Sequence, residues 1–557
     1  MKPWEKIHRE LGLTVPDPVT TPLGRRIAEI ARQAPDAKAL FFEGLRLTYG
    51  ELARDADRLA SSLASEGIGA GDVIALYLPN VPQFVVGVVA ASRLGAVACG
   101  VSTLCSAREL GAQLTDSRAR ALIALDTLAV SRLAELASWP QTLEVVVTTG
   151  VRDYLGASTT PPAQLRARCV ATFADMLGRD SADFEGPDPG PDEIFLLQYT
   201  GGTTGRSKGA MLSKVAVMTA PLAANSFDPY VWLGERMVSA FPLFHIGGLM
   251  GLIGALSAGG EYLLALDPRD LYAFVRDITT LRPTRLGAVP TFYQMLLRHP
   301  GFADVDLSAL KVAVTGGAPI TGADRERLDA RLGAGKLADV FGMTETCATY
   351  VSNPPSRPKP AALGIPLPGV DVRIVDLASC ETALGPGETG EIITANPFLM
   401  QSYCGMPEET AKALRPLDDK LWMYTGDVGH LDEDGYLYIS DRAKDMLIVG
   451  GFKVFSLEVQ DVLRRLDFVA AAAVVGTPDH ARPGNDIVLG FIQLTPAAQA
   501  LDSGELRARA VAHCRQELAP YKVLKQFAFV DALPATAVGK VDKNALRALG
   551  ANLINGR

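Results

Sequence analysis

Helical and extended patterns alternate along residues 48–100, and this alternation constrains the fold more than any other feature of the chain. The segment 48–66 places leucine and alanine at helical spacing, and the apolar run VIALYLPN follows it as a buried strand. The stretch PQFVVGVVAASRLGAVACGV repeats a helix that leads into a strand. Such alternation favours a substantially parallel sheet, so the pattern predicts an α/β domain.

The chain is too long for a single core. Its 557 residues correspond to about two to four domains. Further strands are predicted at LIAL, LEVVVTT, KVAVTGG and LADVFG, and a second compact alternating set follows residues 441–445. We therefore expect an N-terminal domain of residues 1–442 and a C-terminal domain of residues 443–557.

Charge and composition exclude several classes of protein. A formal net charge of -8 argues against a nucleic-acid binder, which would normally carry a basic face. The N-terminus is charged where a signal peptide would be apolar, and the apolar stretch 246–260 is too short and too rich in glycine to span a bilayer. Seven cysteines show no CxxC pairing. The chain is expected to be cytoplasmic, reduced and free of structural metal.

The stretch LLQYTGGTTGRSKGAML concentrates glycine and hydroxyl residues around one lysine. Glycine lets backbone N–H groups approach an anion, hydroxyls add donors, and lysine adds a positive charge, so the stretch predicts a phosphate-binding loop. A surface turn is the alternative, although the apolar residues 194–197 read as a buried strand that leads into the loop. The Walker A pattern is absent. The candidate residues are Thr200, Gly201, Gly202, Thr203, Thr204, Gly205, Ser207 and Lys208.

Four stretches in a fixed order resemble the adenylate-forming superfamily of AMP-dependent ligases, and within it the fatty-acyl-CoA ligases. They are YTGGTTGRSKGAM, FGMTET at 341–346, YTGDVGHLDEDGYLYISDRAKDMLIVGGFKV at 424–454 and LPATAVGKVDKNALR at 533–547. The resemblance runs from about Leu47 to Arg547. It implies a large N-terminal adenylation domain of several subdomains with mostly parallel sheets, followed by a small, mobile α+β C-terminal domain.

The resemblance also implies a reaction in two steps. A small carboxylic acid attacks the α-phosphate of ATP to give acyl-AMP and pyrophosphate, and the thiol of coenzyme A then displaces AMP. The first step brings two anions together, so positive charge must lie between them, and Mg²⁺ would contribute to it. Two alternatives stay open: transfer of the acyl group to a separate carrier protein, and a non-catalytic nucleotide-binding module.

Residues of the N-terminal part take roles from the matching motifs. Lys208 would steer the β- and γ-phosphates, Glu345 would hold Mg²⁺, and His245 would position the acid. Phe341 would stack on adenine, or alternatively pack in the core. The other residues expected to contact the nucleotide are Gly316, Gly317, Ala318, Gly342, Met343 and Thr344.

The later motifs imply a second group of residues. Asp427 would accept the ribose hydroxyls with Arg442 as its partner, and Lys444 matches the hinge between the domains. Lys540 would bridge the carboxylate and the α-phosphate during adenylation. The pantetheine path would be lined by Gly450 and Gly451 and flanked by Phe452 and Lys453, although a simple hairpin turn at the two glycines fits the same sequence.

The acid is expected to be hydrophobic. No aspartate follows FPLFHIGG to pair with a substrate ammonium group, and the apolar segments 246–256 and 286–296 could wall an acyl tunnel or form core. The small domain and the segment that leads to it depart from the family pattern: Ser456 stands where proline is common, Gln460 stands where an acidic residue is usual, and NPFLMQSY lacks the glycine often seen before that tyrosine. These departures bear on the thioester step more than on the adenylate step.

Overall fold

The chain is described here by a computed structural model. It covers residues 2–554 except 137, 158, 162, 164, 166–168, 180–183, 188, 201–206, 318–319, 321, 360, 444, 451, 480–481, 483–484 and 537–540. The chain divides into two compact units. Unit 1 comprises Met1–Asp371, Ala395–Met423 and Asp434–Tyr436, and unit 2 comprises Val372–Thr394, Tyr424–Glu433 and Leu437–Arg557.

The α-helices begin and end as follows. They are α1 Pro3–Glu10, α2 Leu23–Gln33, α3 Tyr49–Ser65, α4 Pro82–Leu94, α5 Ala107–Asp116, α6 Asp126–Leu128, α7 Phe173–Gly178, α8 Lys214–Ala224, α9 Ile246–Ser257, α10 Leu271–Leu281, α11 Pro290–Arg298, α12 Gly322–Leu332, α13 Pro407–Ala413, α14 Ser456–Arg464, α15 Ser503–Glu517 and α16 Lys543–Ile554.

The β-strands have the following bounds. They are β1 Lys38–Phe42, β2 Leu45–Thr48, β3 Val73–Tyr77, β4 Val97–Gly100, β5 Ala121–Leu125, β6 Val145–Thr149, β7 Cys169–Thr172, β8 Ile194–Thr200, β9 Lys208–Ser213, β10 Arg236–Ser239, β11 Glu261–Leu263, β12 Arg285–Ala288, β13 Val312–Gly316, β14 Leu337–Phe341, β15 Val351–Ser352, β16 Ile365–Pro366, β17 Asp371–Val375, β18 Gly390–Ala395, β19 Ser402–Tyr403, β20 Leu414–Leu417, β21 Lys420–Leu431, β22 Leu437–Arg442, β23 Leu447–Val449, β24 Phe452–Val454, β25 Val469–Pro478, β26 Asp486–Leu494 and β27 Gln526–Val530.

Unit 1 contains two large sheets that are mainly parallel. One has the strand order β16-β15-β14-β13-β12-β10-β11-β1-β2, and it is parallel from β14 to β1. The other has the order β19-β9-β8-β4-β3-β5-β6-β7, and it is parallel from β8 to β7. Antiparallel strands occupy edges of both sheets. The predicted α/β fold with mostly parallel sheets is confirmed.

Local sequence signals explain where the first helices begin and end. Helix α3 begins after Thr48, whose hydroxyl accepts a hydrogen bond from the N–H of Glu51 and whose own N–H donates to the Glu51 carboxylate. Helix α4 has proline in its first turn and is capped after Leu94 by Gly95, which takes the left-handed conformation at φ 66°. Both helices and the strands that follow them match the prediction.

The buried residues of the two sheets form separate cores within unit 1. The predicted apolar segment 286–296 lies in one of them, where Leu286, Tyr293 and Leu296 are buried. Leu249, Leu252 and Ile253 of α9 are buried as well. These side chains therefore contribute to core packing. Among the described residues, no helix is both long enough and apolar enough to cross a membrane.

Unit 2 combines helices with smaller sheets. Strands β25 and β26 pair antiparallel, β26 and β27 pair parallel, and β23 and β24 form a hairpin. Helices α14 and α15 cover one core of this unit, which includes Val459, Leu463, Leu506 and Cys514. Cys514 of α15 packs in this core, and the neighbouring His513 ring bonds to the carbonyl of Val462 over 3.2 Å. The α+β character predicted for the C-terminal part is confirmed.

Candidate active site

Predicted site residues of unit 1 lie at the carboxyl ends of parallel strands. Strand β8 ends at Thr200, β13 at Gly316 and β14 at Phe341. In open α/β sheets, ligands bind at this edge, because loops leaving the strand ends converge there. The short turn Thr344–Thr346 after β14 lies against both β8 and β9, which brings residues from the two sheets together.

The glycine-rich loop connects β8 to β9. Thr200 pairs with Lys208 in the antiparallel register, and the Thr200 hydroxyl donates to the Lys208 carbonyl over 3.4 Å. The Ser207 hydroxyl donates to the Thr200 carbonyl. These bonds close the neck of a hairpin loop. The loop residues Gly201, Gly202, Thr203, Thr204 and Gly205 lie outside the described residues, so their contact with phosphate stays a prediction.

Lys208 forms an ion pair with Glu409 of helix α13. Its Nζ atom also lies 5.1 Å from the ring centre of Tyr403, within cation–π range. Glu409 accepts a second bond from Lys412 over 2.6 Å. The hydrogen bonds from Lys208 and Lys412 lower the pKa of Glu409 to about 2. The predicted phosphate-binding cation therefore has a carboxylate partner before any nucleotide arrives.

Glu345, the predicted metal ligand, is buried and hydrogen-bonded to Tyr403. The side chain of Glu345 is 6% exposed, and its Oε1 accepts a bond of 2.6 Å from the Tyr403 hydroxyl. Burial raises the pKa of Tyr403, and the charge of Glu345 raises it further, so Tyr403 keeps its proton and donates. Strand β19 places Tyr403 beside β9 by pairing Tyr403 with Ala210.

The carboxylate of Glu345 fits a Mg²⁺ ion that arrives with a nucleotide. Among the described residues, no cluster of three or more His, Cys, Asp or Glu side chains could hold a metal. Mg²⁺ is commonly bound by one or two carboxylates together with substrate phosphates, so a single buried carboxylate near the Lys208 loop suits it. Glu345 would hold the ion, and the ion would neutralise phosphate charge.

Phe341 shows the packing given as its alternative role, and Gly342 has a packing role that the sequence did not reveal. The half-buried Phe341 ring lies edge-on to Tyr350, with ring centres 5.4 Å apart. A Cβ atom on Gly342 would lie 1.5 Å from the carbonyl oxygen of Ala348, so only glycine fits there. Both readings of Phe341 remain open, because one face of a half-buried ring can still stack on a base.

The adenine-wall segment is described only in part. A Cβ atom on Gly316 would lie 2.8 Å from the carbonyl oxygen of Val340, so the close pairing of β13 and β14 requires glycine there. Gly317 has φ 81°, a left-handed conformation that favours glycine. Ala318 lies outside the described residues. Thr344 is buried, and the Met343 N–H donates to the Thr346 hydroxyl over 3.2 Å.

His245 caps the N-terminus of α9. Its Nδ1 accepts a hydrogen bond of 3.2 Å from the Gly247 N–H, so in this arrangement the ring is neutral with its proton on Nε2. The amide of Gln198, on β8, donates to the carbonyl of Phe244 and fixes the segment that carries His245. The ring is thus oriented by its cap, which agrees with a positioning role.

Asp427 and Arg442 lie next to each other in unit 2. They are paired in register on β21 and β22, and the Nε atom of Arg442 lies 3.0 Å from Oδ1 of Asp427. Asp427 is 4% exposed, and its N–H donates to the Thr425 hydroxyl over 3.1 Å. The structure therefore brings the predicted ribose acid and its predicted partner together.

The predicted pantetheine path is described at three of its four residues. Gly450 has φ 61° at the turn of the β23–β24 hairpin, and its N–H donates to Asn485 over 2.6 Å. The exposed ring of Phe452 stacks on Tyr521 at 4.6 Å, and Lys453 is exposed. The hairpin alternative is confirmed, and it is compatible with the tunnel role. Gly451, Lys444 and Lys540 lie outside the described residues.

Three side chains at the site were not identified from the sequence. Tyr403 donates a hydrogen bond to Glu345, and Glu409 forms the ion pair with Lys208. Gln198 donates to the carbonyl of Phe244, directly before His245. Tyr403 stands at the end of NPFLMQSY, a stretch already noted near the other motifs, so its position in the motif order was an available signal. Glu409 and Gln198 gave no signal, because each acts through a partner far along the chain.

Comparison with known proteins places the chain in a family. The family model of AMP-binding enzymes matches residues 27–404, and the model of the AMP-binding enzyme C-terminal domain matches residues 458–540. A long-chain-fatty-acid–CoA ligase of Bacillus subtilis (strain 168) is 32% identical, with coverage of 98% of this chain and 97% of the relative. A feruloyl-CoA synthase of Amycolatopsis sp is 34% identical, with coverage of 93% and 96%.

Solved structures give the same result. The anthranilate CoA ligase AuaEII in complex with anthranoyl-AMP is similar with a TM-score of 0.84 and 25% identity, over 96% of this chain and 99% of that one. ATP-bound MatB from Rhodopseudomonas palustris is similar with a TM-score of 0.82 and 28% identity, over 96% and 100%. The first family model alone spans more than half of the sequence. The chain therefore belongs to the family of AMP-binding enzymes.

Proposed function

We propose that this enzyme activates a hydrophobic, fatty-acid-like carboxylic acid and transfers it to coenzyme A. The general reaction follows from the family: the acid reacts with ATP to give acyl-AMP and pyrophosphate, and coenzyme A then displaces AMP to give the acyl-CoA thioester. The enzyme is thus an AMP-forming acyl-CoA synthetase that uses ATP, Mg²⁺ and coenzyme A. The identity of the acid is the new part of the proposal.

One observation carries the adenylation step. Lys208 lies at the neck of the glycine-rich loop, and the turn that holds the buried Glu345 lies against the same two strands. A cation and a carboxylate on adjacent elements suit a triphosphate, because Lys208 would pair with phosphate oxygens and Glu345 would hold a Mg²⁺ ion that neutralises phosphate charge. Both charges would also favour the departure of pyrophosphate.

Lys540 would complete the charge at the reacting atoms. We assign it to the gap between the acid carboxylate and the α-phosphate, where two negative groups must come into bonding distance. Asp427 and Arg442 would hold the ribose, and Lys444 would act as the hinge between domains of residues 1–442 and 443–557. After the hinge turns, Gly450, Gly451, Phe452 and Lys453 would border the path of the pantetheine thiol.

The sequence around His245 supports a hydrophobic acid. Helix α9, which His245 caps, carries no acidic residue that could pair with a substrate ammonium group. The relatives named above include one for long-chain fatty acids and one for ferulic acid, and both acids carry a large apolar group. We therefore place a fatty-acid-like chain first and an aromatic acid second. We further propose that the enzyme acts in the cytoplasm.

ATP–pyrophosphate exchange across a panel of carboxylic acids tests the proposal. We expect exchange to depend on an apolar acid and to fall at least ~10²-fold in Lys540→Ala, the scale of losing a preorganised charge at the transition state. Lys525→Ala, a change at an exposed lysine of the same unit, is the control and should retain wild-type exchange.

Other outcomes separate the alternatives. Tight ATP binding without exchange for any acid would indicate a nucleotide-binding module and contradict the proposal. Thioester formation on a pantetheinylated carrier protein, but not on coenzyme A, would show that the acyl acceptor is a carrier protein and not coenzyme A. Exchange that responds to amino acids and not to fatty or aromatic acids would contradict the assigned substrate class.

A further inference from the structure

Asp441, Asp445, Ser456, Lys543 and Arg547 form a polar group in unit 2 whose two acids and serine are buried and whose two cations are partly buried, and we call it the junction cluster. Ser456 and Asp441 are almost fully buried, at 0% and 1% exposure, and Asp445 is 8% exposed. A buried charge destabilises a protein unless it is paired and hydrogen-bonded, so the contacts in this cluster offset the cost of burying its two acids. None of these residues was assigned a contact with substrate above, and only Ser456 was singled out, as a departure expected to bear on the thioester step.

Ser456 is the centre of the junction cluster. Its backbone N–H donates to Oδ2 of Asp441, and its hydroxyl accepts a bond of 2.8 Å from Nζ of Lys543. Ser456 is also the first residue of α14, where a carboxylate such as that of Asp441 is favourable because backbone N–H groups at a helix start point outward. Proline, the residue common at this position in the family, has no N–H and no hydroxyl, so it could make neither bond.

Lys543 connects the two acids of the junction cluster. Its Nζ lies 3.1 Å from Oδ2 of Asp445 and 3.7 Å from Oδ1 of Asp441. Arg547, one turn along α16, pairs with the other oxygen of Asp445. Burial alone would raise the pKa of Asp445, but Lys543 and Arg547 outweigh it and the pKa is lowered. Asp445 is therefore a carboxylate at neutral pH.

Members of the junction cluster are neighbours in sequence of both chain segments on which the proposed adenylation step depends. Asp441 and Asp445 stand on either side of Lys444 in the sequence, and Lys543 follows Lys540 by three positions. Backbone bonds hold the base of the segment that contains Lys540: Ala535 bridges Val541, and the Asp542 N–H donates to the Pro534 carbonyl over 2.7 Å. The start of α16 thus fixes where that segment is anchored.

We propose that Ser456 and Lys543 are positioning residues for the adenylation step, because they tie the flank of the Lys444 hinge to the base of the Lys540 segment. The inference rests on the proposed function. A catalytic charge loses much of its effect when it is displaced by about 1 Å, so the tie contributes to rate without contacting substrate. The hinge turn proposed above would carry Lys540 away from the acid before the thioester step, so that step would not need the tie.

The variants Lys543→Met and Ser456→Ala test the inference, with both half-reactions measured separately. Lys543→Met should lower the kcat of pyrophosphate exchange about tenfold and leave the KM for ATP within about twofold, and Ser456→Ala should lower that kcat about threefold. The rate of thioester formation from chemically prepared acyl-AMP should stay within about twofold of the wild-type rate for both variants. Lys543→Arg keeps the charge and should restore most of the exchange.

Lys522→Met is a matched control. Lys522 also belongs to unit 2, its side chain is 19% exposed like that of Lys543, and it pairs with Glu458 over 2.6 Å. This control should leave pyrophosphate exchange within about twofold of wild type, since it removes an ion pair away from the junction cluster. A tenfold loss in Lys522→Met would overturn the assignment, because any ion pair of the unit would then have the same effect.

The remaining outcomes are also decisive. Equal losses in the two half-reactions would show a general structural role and overturn the inference, as would unchanged exchange in both Lys543→Met and Ser456→Ala. Should Lys543→Met fail to fold, the smaller change Ser456→Ala still decides. A wild-type enzyme without acid-dependent exchange would instead contradict the proposed function, so the two failures are distinguishable.

Discussion

The hydroxyl of Tyr403 donates a 2.6 Å hydrogen bond to Oε1 of Glu345, and both side chains are buried. The bond joins the strand that pairs with β9 to the turn after β14, so one contact links the two large sheets at the predicted metal ligand. A buried carboxylate needs such a donor, because its lone pairs would otherwise lose their water without replacement.

Tyr403→Phe removes this donor, and we expect two effects. The free energy of unfolding should fall by about 1–3 kcal/mol, the cost of leaving a buried polar group without its partner. The Mg²⁺ concentration for half-maximal exchange should rise about threefold or more, because Glu345 is no longer held in one orientation. Denaturant unfolding measures the change in stability, and a Mg²⁺ titration of pyrophosphate exchange measures the change in the Mg²⁺ requirement.

Tyr154→Phe is the control for that experiment. The hydroxyl of Tyr154 donates a 2.7 Å hydrogen bond to the Asp55 carboxylate. Tyr154→Phe therefore also removes a bond from a tyrosine to a carboxylate, but elsewhere in unit 1. It should alter stability and leave the Mg²⁺ dependence unchanged. A Mg²⁺ requirement that stays at the wild-type value in Tyr403→Phe would show that Tyr403 does not position the metal ligand.

The ion pair between Lys208 and Glu409 predicts an effect on nucleotide affinity. If Lys208 binds a phosphate as proposed, that phosphate replaces Glu409 as its partner, so the two anions compete. Glu409→Gln should therefore bind ATP about two- to fivefold more tightly, as measured by calorimetry in the absence of acid. Weaker binding would indicate that Glu409 orients Lys208 for the nucleotide and does not compete with it.

The same pair predicts a pH dependence of stability. The folded-state pKa of Glu409 is lowered to about 2, chiefly by the hydrogen bond from Lys208. A lowered carboxyl pKa contributes stability above the unfolded value of about 4.5, and this contribution is lost as the pH falls toward 2. The Tm of Glu409→Gln should lie slightly below that of wild type at pH 6, and the gap should narrow on acidification. A gap that widens between pH 6 and pH 3.5 would contradict the assignment.

Gly450→Trp tests the pantetheine path. A Cβ atom at Gly450 would meet nothing within 4 Å, so no neighbouring atom blocks the first carbon of a side chain there. We expect thioester formation to slow at least ~10-fold, because a bulky side chain would block a narrow thiol path, while pyrophosphate exchange stays largely intact. Gly450→Asn is the control, since asparagine tolerates the left-handed backbone at φ 61° without comparable bulk. Equal slowing in both variants would indicate backbone strain.

Local patterning predicted the elements that carry the motifs. The alternation of α3, β3, α4 and β4 could be predicted from the sequence alone, because the spacing of apolar residues within each element is typical of a helix or of a strand. The register that pairs Asp427 with Arg442 agrees with the partnership implied by the motifs. The alternatives for Gly450 and Gly451 also included the hairpin that the structure shows.

Long-range packing could not be predicted from the sequence. Glu409 meets Lys208 only because β19 and α13 return to the edge of the sheet at β9. Gly342 is required by the approach of Ala348, which no local pattern reveals. Unit 2 includes the segments Val372–Thr394 and Tyr424–Glu433, which lie before residue 442 in the sequence. The compact units therefore do not coincide with the predicted domains, and the domain boundary at 442/443 stays a prediction.

Isotope transfer tests the central claim most directly. If the acid carboxylate attacks the α-phosphate, an acid labelled with ¹⁸O in its carboxyl group leaves one labelled oxygen on AMP after the thiol takes the acyl group. Mass spectrometry of the products should therefore find one ¹⁸O per AMP formed and none in pyrophosphate. Label in inorganic phosphate with ADP as the co-product, or AMP without label, would contradict the account.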